Sequence, residues 1–158
     1  MNIRYLIMDV DGTLTDGCIY YSNSGEELKA FNIKDGYGIK MLLSSSKIKP
    51  VVVTGRNSQI VSKRCEELGI TLVFQGVNEK LSVLKQLTSD FSQIAYIGDD
   101  ENDLSSMNEV SKSGGIIGCP KDAVDSIKRM CSFISSFNGG NGAVREFIEW
   151  IAYGKEKL

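Results

Sequence analysis

The sequence predicts an α/β fold: a parallel sheet with helices on both faces and a small β-hairpin insert. Three observations lead there. Short apolar runs rich in Leu, Ile and Val recur at residues 5–8, 51–53 and 94–97, each stopping at or near a glycine. Such runs read as strands buried on both faces. Helix-length segments alternate with them, which implies right-handed βαβ units. Acidic and hydroxyl residues stand where the runs end, and an open parallel sheet binds ligands at that edge.

The elements follow in order. Tyr5-Leu6-Ile7-Met8 is the first strand and leads into Asp9-Val10-Asp11-Gly12-Thr13-Leu14. Cys18-Ile19-Tyr20-Tyr21 and Glu26-Glu27-Leu28-Lys29-Ala30-Phe31 flank the polar turn Ser22-Asn23-Ser24-Gly25 and predict the hairpin. Asp35 is a candidate N-cap for a helix running to about Leu43. Pro50-Val51-Val52-Val53-Thr54 is the second buried strand, closed by Gly55-Arg56. Ser58 is placed to cap a helix with Ile60, Val61, Arg64, Cys65 and Leu68 on one face, and Gly69 stops it. Leu72-Val73-Phe74 is the third strand, and residues 79–87 form a helix with Leu81, Leu84 and Leu87 inward. Ile94-Ala95-Tyr96-Ile97 ends at Gly98-Asp99-Asp100, before a helix over residues 104–110. A fifth strand (Gly115-Ile116-Ile117-Gly118), a helix near residues 123–127 and an edge strand (Cys131-Ser132-Phe133-Ile134) come next. Gly139-Gly140-Asn141-Gly142 then precedes an amphipathic helix ending near Tyr153. The architecture is Rossmann-like. With no linker or internal repeat, residues 1–158 read as a single domain.

Composition narrows the function. A net charge of −2 gives no case for nucleic-acid binding through phosphate neutralisation. No apolar run approaches the roughly 18 residues of a membrane span. The chain enters its first strand without a signal-peptide pattern, so a cytoplasmic protein is expected. Cys18, Cys65, Cys119 and Cys131 are widely spaced and read as buried free thiols. The absence of histidine removes Ser-His-Asp and Cys-His schemes and histidine-bearing zinc sites.

What remains is carboxylate chemistry. Side chains alternate along a strand, so Asp9 and Asp11 are expected on one side of its end. Two like charges so close need a cation, a shared proton or a long run of solvent. The cation is the best of these, and Asp oxygens suit Mg²⁺. A calcium loop of the D-x-[DN]-x-[DN]-G type fails, because Thr13 and Leu14 occupy its fifth and sixth positions. Asp99, Asp100 and Asp103 supply further carboxylates, Thr54 ends another strand, and Lys80 opens a helix. Singly, each has an ordinary structural explanation: a strand stop, a solvated lysine, an acidic helix start. Together, at successive strand ends, they point to one site.

Asp9-Val10-Asp11-Gly12-Thr13, Thr54-Gly55, Lys80 and Gly98-Asp99-Asp100-x-x-Asp103 resemble, in order and spacing, the four motifs of the haloacid dehalogenase superfamily of phosphotransferases. Asp16-Gly17, Phe31-x-x-x-Asp35-Gly36-x-Gly38, Thr54-Gly55-Arg56, Gly76-x-x-x-Lys80-Leu81 and Gly139-Gly140-x-Gly142-Ala143-Val144-Arg145-Glu146 are similar to the 3-deoxy-D-manno-octulosonate 8-phosphate phosphatase family. That family includes phosphatases for related nonulosonate 9-phosphates. The resemblance implies the haloacid dehalogenase fold, Mg²⁺ as cofactor, a capless homotetramer and a place in lipopolysaccharide biosynthesis. It implies Asp9 as nucleophile and Asp11 as acid and base. Asp9, Asp99 and the Asp11 backbone carbonyl become metal ligands, with Asp103 and Asp100 orienting metal waters. Thr54, Gly55 and Lys80 would hold phosphoryl oxygens, and Arg56 and Arg145 the substrate carboxylate.

Capped members of the superfamily carry an extra domain between the first three motifs. Here residues 14–53 hold a hairpin and one helix, and residues 56–79 a helix and one strand, so neither gap holds a cap. The hairpin and residues 139–145 are therefore expected to reach the site of a neighbouring subunit. A non-catalytic phosphoaspartate module is the rival reading. The Asp9–Asp11 pair favours the enzyme, since such a module needs no acid beside its phosphorylated Asp. Arg56 favours the octulosonate over a nonulosonate.

Overall fold

The structure is a computed structural model, and it describes residues 2–25 and 27–154. Glu26, in the expected second strand of the hairpin, lies outside the described residues. A six-stranded sheet forms the centre, in the order β5-β4-β1-β6-β7-β8. Its strands are β1 (Tyr5–Met8), β4 (Lys49–Val53), β5 (Leu72–Phe74), β6 (Ile94–Ile97), β7 (Ile116–Cys119) and β8 (Phe133–Ile134). Every pairing is parallel. The chain builds outward from β1 through β4 to β5, then returns to β6 on the other side. The point where strand order reverses therefore lies between β1 and β6, the place where such sheets bind ligands.

The pleat sorts the strand residues between two core layers. Leu6, Met8, Val52, Ala95 and Ile97 pack with Val61, Cys65, Phe147 and Ile148 on one face. These come from α2 (Gln59–Leu68) and α6 (Ala143–Tyr153). Ile7, Val51, Val53, Ile94 and Tyr96 pack on the other face with Val83, Leu84, Met107, Val110 and Ile127. Those come from α3 (Lys80–Leu87), α4 (Leu104–Lys112) and α5 (Asp125–Lys128). Burial on both faces explains the unbroken apolar runs. Among the described residues, no cap domain is present. Among the described residues, no helix is long and apolar enough to cross a membrane.

Five local readings are corrected. Ser58 stands at the N-cap of α2, but its side chain makes no capping hydrogen bond, and Cys18, expected to be buried, is exposed. Asp35 does not cap its own helix. Asn32 does so for α1 (Ile33–Tyr37), accepting the Lys34 N–H at 2.8 Å. Asp35 is buried inside α1, and its carboxylate accepts the Arg145 N–H at 2.7 Å and the Gly142 N–H at 3.3 Å. It thus satisfies the open N-terminus of α6, a partner that local sequence cannot name. Residues 139–142 are not a reaching tail. The Gly140 N–H donates to the Thr13 carbonyl at 3.0 Å, and a Cβ at Gly139 would stand 1.8 Å from the Gly12 carbonyl oxygen. Only glycine lets these two turns of one chain approach so closely. Finally, the hairpin of β2 (Tyr20–Tyr21) and β3 (Glu27–Leu28) meets the site of its own chain. Phe31 packs against the core, whereas Tyr20, Tyr21 and Leu28 are exposed.

Candidate active site

Register places the site. Met8 pairs with Val52 on one side and Ile97 on the other, so β1, β4 and β6 end level. Asp9, Thr54 and Asp99 follow those ends within two residues. The strand stops at Met8, and Gly12 takes φ +94° in the turn beyond. The pleat therefore does not continue to Asp11, and the two aspartates engage different partners.

Asp9 is buried, and its Oδ1 accepts a hydrogen bond from Lys80 Nζ at 2.6 Å. Lys80 Nζ also donates to Asp103 Oδ1 at 2.7 Å. Asp103 Oδ1 receives the Tyr96 hydroxyl at 2.7 Å, and its Oδ2 the Asp99 N–H at 3.2 Å. Asp99 Oδ1 accepts from the Thr13 hydroxyl at 2.9 Å. Carboxylate oxygens of Asp9, Asp99 and Asp103 all lie within 4.8 Å of one another.

Electrostatics follows from that crowding. Burial, then the Asp103 charge, pushes Asp9 well above the ordinary carboxylate range, against the pull of Lys80. Burial pushes Asp99 up to about 6. Burial works against the Lys80 ammonium, but Asp9 and Asp103 outweigh it and hold its pKa above the usual lysine value. Three carboxylates against one ammonium leave two formal negative charges, the complement of a divalent cation. All donors are hard oxygens, as Mg²⁺ prefers. The residues fit that ion, with Asp9 and Asp99 to hold it. Asp103, its oxygens engaged by Lys80, Tyr96 and the Asp99 amide, braces the cluster.

The other expected residues are less central. Thr54 is buried at the end of β4, and Gly55 is exposed on the rim. Asp11 turns toward the mouth, where its carboxylate pairs with Lys29, and Arg56 Nε stands 4.0 Å from its Oδ2. Arg56 also donates to the Tyr21 hydroxyl at 3.2 Å. Asp100 is exposed and accepts the Glu101 N–H at 2.7 Å, so it caps a turn outside the cluster. Arg145 is not brought to the cluster within one chain. Its guanidinium binds Glu149 at 2.6 Å and lies over the Tyr37 ring.

Two participants escaped the sequence reading. Tyr96 sat inside an apolar run, although a phenol there must find a partner, and that was the available signal. Lys29 is 18 positions from Asp11 and carries no periodic signal.

An acidic cluster braced by lysine at the C-terminal edge of a parallel sheet defines a site for phosphoryl chemistry on a divalent cation. No protein-family model matches the chain. It is 42% identical to a 3-deoxy-D-manno-octulosonate 8-phosphate phosphatase of Escherichia coli, over 99% of this chain and 83% of that protein. It resembles the crystal structure of the Yersinia pestis phosphatase of that name, with a TM-score of 0.88 at 41% identity, covering 99% of this chain and 84% of the other. A Moraxella catarrhalis phosphatase of that name, in complex with magnesium, phosphate and KDO, aligns with a TM-score of 0.87 at 39% identity over 95% and 86%. The chain belongs to the 3-deoxy-D-manno-octulosonate 8-phosphate phosphatase family, within the haloacid dehalogenase superfamily.

Proposed function

We propose that this chain is a Mg²⁺-dependent phosphomonoester hydrolase that cleaves 3-deoxy-D-manno-octulosonate 8-phosphate through an aspartyl-phosphate on Asp9. The observation that carries the reading is the Asp9–Asp99–Asp103 cluster braced by Lys80 at the strand edge.

Asp9 attacks phosphorus, the ester P–O bond breaks, and the phosphoryl group passes to the carboxylate. Asp11 gives a proton to the departing sugar oxygen, then takes one from the water that hydrolyses the acyl phosphate. Lys80, hydrogen-bonded to Asp9, and Thr54, just beyond the end of the neighbouring strand β4, bind phosphoryl oxygens. Mg²⁺, when bound, neutralises phosphoryl charge and offsets the crowding that opposes ionisation of Asp9. Arg56, at the mouth, faces the sugar acid.

We assign a cytoplasmic homotetramer as the working form. Tyr20, Tyr21 and Leu28 on the hairpin present exposed apolar surface beside an open site, and the four cysteines are free.

A substrate panel tests the reading. Phosphate release with Mg²⁺ is expected to be fastest from the octulosonate 8-phosphate. A preference for a nonulosonate 9-phosphate would reassign the substrate, and no release from any sugar phosphate would overturn the activity.

A further inference from the structure

Asp11 is not part of the hydrogen-bonded set of Asp9, Lys80 and Asp103. It lies in a turn, beyond the last paired residue of β1 and next to a glycine of positive φ. Backbone pairing does not set its side chain. Two cations do: Lys29 at Oδ1, in direct hydrogen bond, and Arg56 4.0 Å from Oδ2. The Lys29 contact is much the closer.

Lys29 follows β3, so it arrives with the hairpin. Its side chain has no solvent exposure, whereas that of Asp11 keeps 21%. Burying an ammonium is costly unless it is paired and hydrogen-bonded, so this lysine is not a solubilising surface charge. On the same hairpin, Tyr21 holds Arg56 at 3.2 Å. Tyr20 and Leu28 remain exposed and give the hairpin little apolar anchorage on its own chain. Among the described residues, polar contacts with Asp11 and Arg56 join hairpin and site.

We propose that Lys29 is a positioning residue for proton transfer: it holds the Asp11 carboxylate where the leaving oxygen departs, and makes that placement depend on the hairpin. The inference rests on the phosphatase reading above. Lys80 cannot take this part, because Asp9 and Asp103 engage it. The consequence is selective. A sugar alkoxide is a poor leaving group and needs a proton, whereas 4-nitrophenolate leaves without one. Loss of Lys29 must therefore damage the first reaction far more than the second.

The test compares Lys29→Met, Lys29→Arg and Asp11→Asn with wild type on the octulosonate 8-phosphate and on 4-nitrophenyl phosphate, with Mg²⁺. Lys29→Met should lower kcat on the sugar phosphate by about 10-fold more than on the aryl phosphate, with KM shifted less than kcat. The ratio of the two rates within one preparation is independent of the folded fraction. Lys29→Arg should recover most of the ratio, since it restores the cation. The double variant Lys29→Met/Asp11→Asn should be no slower on the sugar phosphate than Asp11→Asn alone, because both act at one step. Equal losses on both substrates, no loss, or additive losses in the double variant would overturn the proposal. A wild-type protein inactive on both substrates would instead overturn the phosphatase reading.

Discussion

Asp9 shares one ammonium with Asp103 in a buried pocket, and its chemistry depends on that competition. Replacing it with Asn removes the nucleophile and relieves carboxylate crowding. Asp9→Asn should therefore lose turnover while melting no lower than wild type, as read by steady-state kinetics and calorimetry. Asp99 carries a pH consequence. Its carboxyl sits at about 6, above the ordinary 3.8, because of burial. A carboxyl raised by folding stabilises the fold below its unfolded pKa and loses that contribution as pH rises through its folded value. Metal-free protein should thus show a falling melting temperature from about pH 4 to about pH 6.5, with a shallower slope in Asp99→Asn. A slope equally steep in that variant would assign the effect elsewhere. At this scale the sequence was informative wherever chemistry coincided with a strand end, as at Asp9, Thr54 and Asp99. It was silent on Lys29, which is placed by the hairpin.

The turn after β1 is held by its own neighbours in space. Residues 139 and 140 lie against Gly12, Thr13 and Thr15, and Gly139 has no room for a methyl group beside the Gly12 carbonyl. Gly139→Ala must displace the turn that carries Asp11. It should cost about 1–3 kcal/mol of stability. It should also lower kcat/KM by on the order of 10–10²-fold, as misplacement by about 1 Å does. Wild-type kinetics in a folded Gly139→Ala protein would show that this contact does not set the turn. Strands and helices were legible because both faces of the sheet are buried and the apolar runs are continuous. Gly139 and Gly140 were visible as part of a motif, but their packing partner was not, because it lies more than 120 positions away. Asp35 misled for the same reason: its hydrogen bonds cross from α1 to the start of α6.

For the whole molecule, the lack of a cap leaves the sheet edge open except for one hairpin. Tyr20, Tyr21 and Leu28 on that hairpin are exposed, and the tetramer proposed above would cover them. Sedimentation at micromolar protein should give a tetramer, and a monomer would remove the assembled form. The α/β class followed from strand–helix alternation, whereas the order of strands about β1 depends on long-range pairing that periodicity does not encode. The account turns on Asp9 becoming phosphorylated. The most direct measurement mixes enzyme, Mg²⁺ and substrate labelled in the phosphoryl group, quenches in acid within the first turnover, and counts label on the protein. Label on the peptide containing Asp9, approaching one per chain at its peak and absent from Asp9→Asn and from chelator-treated enzyme, is the predicted result. Rapid phosphate release with no protein-bound label at any quench time, or label retained by Asp9→Asn, would contradict it.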